Sequence, residues 1–299
     1  MATLTRASAT SSAAARARVR TPTERVLARF RRNRLAVAAL LVLVLIHVAV
    51  LLAPWIAPHD PDRVELAKRL TAPNIEHWLG TDEFGRDVLS RLLVGGQVSL
   101  AVGLTSMIAS MVLGILIGAA AGYAGGATDA VLMRITDGML SVPLFFVALM
   151  ALALLGATVL NLVLVIALSS WMTVARVVRA EVLRTRELEF VLAARALGCS
   201  PLRILARHVV PQSVPSITVA ATLGVAFAVL LESSLSFLGL GVQPPAASWG
   251  NMLSGARGYL RTVPGLAVYP GLLIFMTVLC YNWFGDGLRD AIDPTLAER

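Results

Sequence analysis

Between Asp137 and Arg176 run 38 consecutive residues without a charged side chain. As one straight helix they would extend about 57 Å, nearly twice the roughly 30 Å hydrocarbon core of a bilayer. The run must therefore fold back on itself, and the break is expected near Gly156 to Asn161, where glycine, threonine and asparagine interrupt the apolar residues. With 57% hydrophobic and 15% charged residues over 299 positions, the chain as a whole is predicted to be an integral membrane protein.

The other spans follow from the same reasoning. Leu35 to Leu52 gives span one, Val98 to about Gly122 span two, the folded-back run spans three and four, Val214 to Leu235 span five and Pro264 to Phe284 span six. The apolar run of span one is too long, and starts too deep, for a secretory signal. The acid-poor residues 1 to 23 also resemble an organellar transit peptide, but a bacterial cytoplasmic tail explains the same composition. None of the alternating ten-residue segments of a membrane barrel occurs, so the expectation is an all-α bundle of six transmembrane helices.

Charge orients it. Nine arginines against Glu24 give the first 34 residues a net +8, and the remainder is balanced, 17 against 17. With both termini inside, 19 basic residues lie on the inner side and 7 outside, so cytoplasmic termini are expected. The basic tail is expected to face anionic lipid; no aromatics interleave with its arginines, which argues against nucleic acid. Four segments result: a basic tail (1–34), the first helix with a structured outer loop (35–97), a five-helix core (98–287) containing a cytoplasmic loop (176–211), and a C-terminal tail (288–299).

Several chemistries are disfavoured. Lysine occurs once, at Lys68 after VELA, so the glycine-rich phosphate loop of an ATPase is missing. Cys199 and Cys280 are far apart and the four histidines are scattered, so no zinc or other metal site is expected. An intramembrane protease would need a catalytic pair that the spans do not offer, and no catalytic residue or cofactor bound by this chain is expected.

In the outer loop, GTDEFGRDVLSR offers Thr81 or Asp82 as an N-cap. An interfacial helix would follow, with Val88, Leu89, Leu92 and Leu93 opposite Arg86, Asp87 and Arg91. The cytoplasmic loop reads as a hairpin: a helix through Leu197, a turn at Gly198, Ser200 as N-cap, Pro201 at the first helical position and Pro211 ending the second helix. Ala193 and Ala194 give it a small-residue docking surface, and Glu189 and Arg195 a polar rim.

That hairpin resembles the coupling loop of importer-type ABC permeases, whose pattern is EAA, three residues, Gly, nine residues, then I, any residue, L, P. Leu192, Ala193, Ala194, Gly198, His208, Val210 and Pro211 hold those places, departing from the pattern at Leu192, His208 and Val210. GTDEFGRDVLSR (80–91), ESSLSFLGLGVQPPAASWGNML (232–253) and FGDGLRDAIDP (284–294) narrow the resemblance to the C-type permease subunit of dipeptide, oligopeptide and nickel transporters. The resemblance implies a type I ABC importer permease fold with a cytoplasmic coupling hairpin in a bacterial or archaeal inner membrane. It also implies a homologous B-type permease partner, two ABC ATPase subunits that bind ATP and magnesium, and an extracytoplasmic substrate-binding protein. ATPase coupling would then rest on Glu189, Ala193, Ala194, Arg195, Gly198, Ser200, Pro201 and Pro211. The cargo would be dipeptides or oligopeptides; nickel chelates or other small solutes are the alternative, and a secondary transporter or channel a distant one.

Within the spans, Glu232 with Ser233 and Ser236 has two readings. The three could line the translocation pathway and meet a peptide's amino group, or Glu232 could be a hydrogen-bonded acid that orients the SSLSFLG turn. Arg134 and Asp137, three apart, are a candidate structural ion pair. His47 reads as a helix-to-helix hydrogen-bonding group. Gly114, Gly118 and Gly122 form a small-residue seam, against either a partner permease or another span of this chain.

Overall fold

The structure, a computed structural model, describes residues 22–292. Most of the arginine-rich tail and the end of the C-terminal segment, with Asp293 and Pro294 of the third motif, lie outside the described residues. Among those described, regular structure is helical apart from one isolated antiparallel bridge between Thr81 and Asp87.

Helix α1 (Pro22–Arg32) ends at Asn33, whose Oδ1 accepts from the Ala36 amide over 3.1 Å and so caps α2 (Arg34–Leu51). A short α3 (Ala53–Ile56) opens the outer loop. Asp87 caps α4 (Val88–Ala124), its Oδ2 accepting from the Ser90 amide at 2.8 Å and from Ser90 Oγ at 2.7 Å. This corrects the expectation of a cap at Thr81 or Asp82; the helix expected to lead into span two is present and continuous with it. Thr81 is engaged by the Thr71 backbone and Asp82 by Arg86, so Asp87 is the side chain free to cap, and the helix then runs unbroken for 37 residues.

Helix α5 (Gly126–Leu140) and α6 (Leu144–Leu155) meet at an 81° bend. Pro143 sits in the break, where its missing amide costs no helical hydrogen bond. The fold-back lies where the sequence placed it. Gly156 ends α6 with φ +87°, and Thr158 caps α7 (Val159–Thr185) through the Asn161 amide.

Helices α8 (Glu189–Ala196) and α9 (Pro201–Ile204) form the hairpin. Pro211 does not end the second arm, contrary to expectation. A π-turn over Leu205–Val209 widens the helix just before it, relieving the clash of the proline ring with the preceding turn, and α10 (Val210–Phe237) continues directly. After an outer loop come α11 (Trp249–Ala256), closed by a reciprocal Ser248/Asn251 capping box, and α12 (Gly265–Ile292).

Five helical stretches are long and apolar enough to cross a membrane among the described residues, and the broken α5/α6 pair makes a sixth crossing if its halves form one span. Leucines on the outer faces of α2 and α4, such as Leu41, Leu45 and Leu116, are more than 60% exposed, as expected of side chains that meet lipid.

The glycine seam is internal. A Cβ at Gly114 would lie 2.5 Å from Val174 Cβ, at Gly118 2.3 Å from the Ala175 carbonyl oxygen, and at Gly122 2.9 Å from Val182 Cβ. Helices α4 and α7 therefore pack backbone to backbone, which settles the choice between partner and self for this seam. His47 Nε2 meets Tyr281 Oη at 3.1 Å, joining α2 to α12 as expected.

Candidate functional site

Glycine makes the turn of the coupling hairpin possible. Gly198 has φ +76°; its amide donates to the Arg195 carbonyl at 3.0 Å, and the Cys199 amide to Ala194 at 3.1 Å. The two bonds complete a Schellman closure of α8. Ser200 occupies the N-cap position of α9 and Pro201 its first turn, although the cap is made by backbone alone.

Val191, Ala194, Ile204 and Val209 turn inward, are at most 8% exposed and join the continuous apolar core of the bundle. Ala194 is therefore packed inside the chain. The outward surface consists of Ala193, Gly198, Arg195, Glu189 and Pro201, joined by large apolar side chains, Leu197 at 85% exposure and Leu202 at 76%. Leu197 and Leu202 escaped the sequence reading, which looked for small residues; their position flanking the Gly198 turn is the signal that could have found them. Arg186 ties the hairpin to the bundle by donating from Nη1 to the Gly122 carbonyl at 2.8 Å.

A cavity of about 1000 Å³ opens between α5/α6, α7 and α10 at the hairpin end of the bundle. Apolar side chains such as Met107 and Phe227 form its walls, with Ser169, Thr173 and Gln212 interspersed. At its hairpin end Glu181 accepts from Ser216 Oγ at 2.7 Å and from Arg184 Nη2 at 2.8 Å, which pins α7 to α10. The serine pairing spans 35 residues, beyond the reach of local spacing.

Glu232, Ser233 and Ser236 do not line this cavity. Glu232 is fully buried, accepting from Ser236 Oγ at 2.7 Å and Ser233 Oγ at 3.2 Å. Ser236 Oγ in turn accepts from the Val242 amide at 3.1 Å. The acid thus organises the turn after α10, and of its two readings the structural one matches the geometry. The Arg134 and Asp137 pairing is corrected as well. Asp137 binds Arg176 at 2.5 Å on α7, while Asp129 takes Arg179 in two bonds of 2.5 and 2.6 Å. Proximity along one helix loses here to a neighbouring helix carrying two arginines at the matching height.

The loop between α3 and α4 carries a dense polar network. Asp82 binds Arg86 at 2.7 Å, and Arg91, only 4% exposed, reaches Asp62 at 3.2 Å. Asp82, Arg86 and Arg91 are therefore internal struts. Lys68 bridges Glu76 at 2.5 Å and Glu65 at 3.1 Å. The hydrogen bond that the Lys68 ammonium donates to Glu76 is the main cause holding Lys68 above its ordinary value, and the bonds from Lys68 hold both carboxylates below theirs. His59 and His77, scattered in sequence, stack with ring centroids 4.7 Å apart beside Glu76.

The comparisons with known proteins agree with this architecture. Residues 114–298 match the family described as binding-protein-dependent transport system inner membrane component. Residues 21–73 match the N-terminal TM domain of oligopeptide transport permease C. The chain is 43% identical over 248 residues, covering 82% of each chain, to a protein of Brucella suis biovar 1 named as a peptide permease protein. It is 43% identical to the glutathione transport system permease protein GsiD of Shigella flexneri serotype 5b, covering 83% of this chain and 82% of that one. Among solved structures, the inward-facing MetNI methionine ABC transporter matches with TM-score 0.54 at 18% identity, over 68% of this chain and 96% of that chain, which bears on the fold alone. The chain belongs to the binding-protein-dependent transport system inner membrane component family, as a permease subunit of an ABC importer with the type I fold and of the oligopeptide permease C kind.

Proposed function

We propose that this chain forms half of the translocation pathway of an ATP-driven importer for short peptides, and that the hairpin of α8 and α9 docks into a cleft of an ABC ATPase subunit. The observation that carries the reading is the hairpin's exposed surface. Leu197 and Leu202 stand out from a rigid turn rimmed by Arg195, Arg203 and Arg207, a combination of apolar anchor and charged rim suited to a protein interface. Ala193, Gly198, Glu189, Ser200 and Pro201 belong to that interface, whereas Ala194 and Pro211 shape the hairpin from within.

The assembly would contain a homologous B-type permease, two ATPase subunits holding ATP and magnesium, and an extracytoplasmic binding protein in an inner membrane, with both termini of this chain cytoplasmic. Closure of the ATPases moves the hairpin as a lever. Its buried side chains join the core of the bundle, so the displacement passes to α7 and α10, two of the helices that flank the cavity. Peptides are the favoured cargo because relatives equally close in identity are named for peptide and for glutathione transport.

The test is uptake of labelled di- and tripeptides, glutathione included, into proteoliposomes holding the assembled complex with ATP on the ATPase side and loaded binding protein on the other. ATP-dependent peptide accumulation supports the reading. Accumulation of a nickel chelate but of no peptide would replace the cargo and retain the importer.

A further inference from the structure

We propose that His59, Glu76 and His77 form a binding site for a divalent transition-metal ion, zinc being the probe of choice, on the outer loop of this permease. Their ligand atoms lie within 4.8 Å of one another. His77 is 4% exposed and its Nδ1 lies 3.0 Å from Asp87 Oδ1, so the carboxylate selects the neutral tautomer in which Nδ1–H donates to it and Nε2 carries the lone pair. That Nε2 is buried without a hydrogen-bond partner, and so is Nδ1 of His59. The remaining group, Glu76, is a carboxylate, which can only accept.

Three electron-pair donors converge: Glu76 accepts from Lys68, the two imidazole nitrogens have no hydrogen-bond partner, and a divalent cation would engage all three. Two imidazoles and a carboxylate are a donor set suited to zinc, with a fourth position left for water. The carboxylate–histidine pairing of Asp87 and His77 is the arrangement that fixes a ligating ring and raises its basicity.

The turn carrying two of the ligands is already held. Asn74 Oδ1 accepts from the amides of Glu76 at 2.8 Å and His77 at 2.9 Å. His59 is placed from the other side, its amide donating to Ser90 Oγ at 3.1 Å. Tetrahedral zinc with bonds of roughly 2.0–2.1 Å needs ligand atoms about 3.4 Å apart, so the widest pair must tighten by up to about 1.4 Å. Glu76, 58% exposed at its side chain, is the member able to move, and in doing so it shares or gives up Lys68. A bound ion would clamp the segment after α3 to the turn at 74–77.

The proposal is independent of the cargo and of the ATPase interface. Its test uses the full chain assembled with its partner subunits in lipid nanodiscs, with tags removed and metals stripped, titrated with zinc against a chromogenic chelator. One zinc per chain is expected, with X-ray absorption showing imidazole nitrogen at about 2.0–2.1 Å. His59→Gln and Glu76→Gln should each weaken binding by about tenfold or more, since loss of even an outer-shell partner typically costs that much. His208→Gln, on the hairpin, should leave it unchanged. His59→Gln is decisive because it spares the His77 contact to Asp87, and an unaltered elution profile checks that the variant is folded. Substoichiometric zinc, or equal affinity in the parent and both loop variants, would overturn the site.

Discussion

Trp249 Nε1 donates to the carbonyl oxygen of Leu92 over 2.9 Å, and the indole that carries it is fully buried. The Trp249 amide makes a second bond, to Ser99 Oγ at 3.2 Å, so the start of α11 is riveted to α4 at two points. Gly96 makes room for the ring; a Cβ there would lie 2.8 Å from Trp249 Cζ2. Replacing Trp249 with alanine should cost about 3–5 kcal/mol, from lost contacts and the cavity left behind. Thermal unfolding in detergent, compared with Trp249→Phe, checks this, and the phenylalanine variant should retain most of the packing and lose the hydrogen bond.

The α4/α7 seam should be intolerant of any side chain. At Gly118 even a methyl group meets the Ala175 carbonyl oxygen, part of a helix that cannot rotate out of the way. Gly118→Ala is expected to destabilise the chain by roughly 1–3 kcal/mol, and Gly118→Val by more. Gly138, whose Cβ would meet nothing within 4 Å, is the control and should tolerate alanine.

The hairpin turn behaves differently. A Cβ at Gly198 meets nothing within 4 Å, so a bulky residue there has room within this chain and pays mainly for the positive φ, roughly 1–2 kcal/mol. Gly198→Trp should therefore leave the permease foldable and obstruct ATPase docking. Co-purification of the ATPase with the variant, set beside its thermal stability, separates the two effects.

In the outer loop, the Lys68 bridge to Glu65 and Glu76 fixes a pH window. Both carboxylates are held below their ordinary value, so their contribution is present above the unfolded carboxylate range and is lost as pH falls through the lowered folded values. Lys68 is held above its ordinary 10.5, so its contribution is complete below that value and lost as pH rises through the raised one. The loop should thus be most resistant to proteolysis between about pH 5 and 10. Lys68→Met should flatten the acid side of the profile. These groups are exposed enough for 1 M salt to weaken the effect.

How much of this was legible in the sequence depended on how local each signal was. The fold-back at Gly156, the Gly198 turn and the apolar spans were readable because length, charge and a left-handed glycine are properties of short segments. The start of α4 was not, because Thr81, Asp82 and Asp87 are all competent caps, and the bonds that occupy the first two, to Thr71 across the loop and to Arg86 within an irregular turn, are made outside any helix. Asp137 was assigned to the nearest arginine in its own helix, yet its partner is Arg176, 39 residues away. The stacking of His59 on His77 arises in irregular backbone, where no periodicity brings side chains together. Glu232 was correctly marked as costly to bury, but its role followed only once Ser236 and Val242 were placed around it.

The most direct measurement is ATP hydrolysis by the complex of this chain with its partner permease and ATPases in lipid, with and without peptide-loaded binding protein. The account predicts that the loaded binding protein stimulates hydrolysis and that Gly198→Trp abolishes the stimulation while the permease remains folded. A permease that assembles with no ATPase, or a complex whose hydrolysis is unchanged in the Gly198→Trp variant, would contradict it.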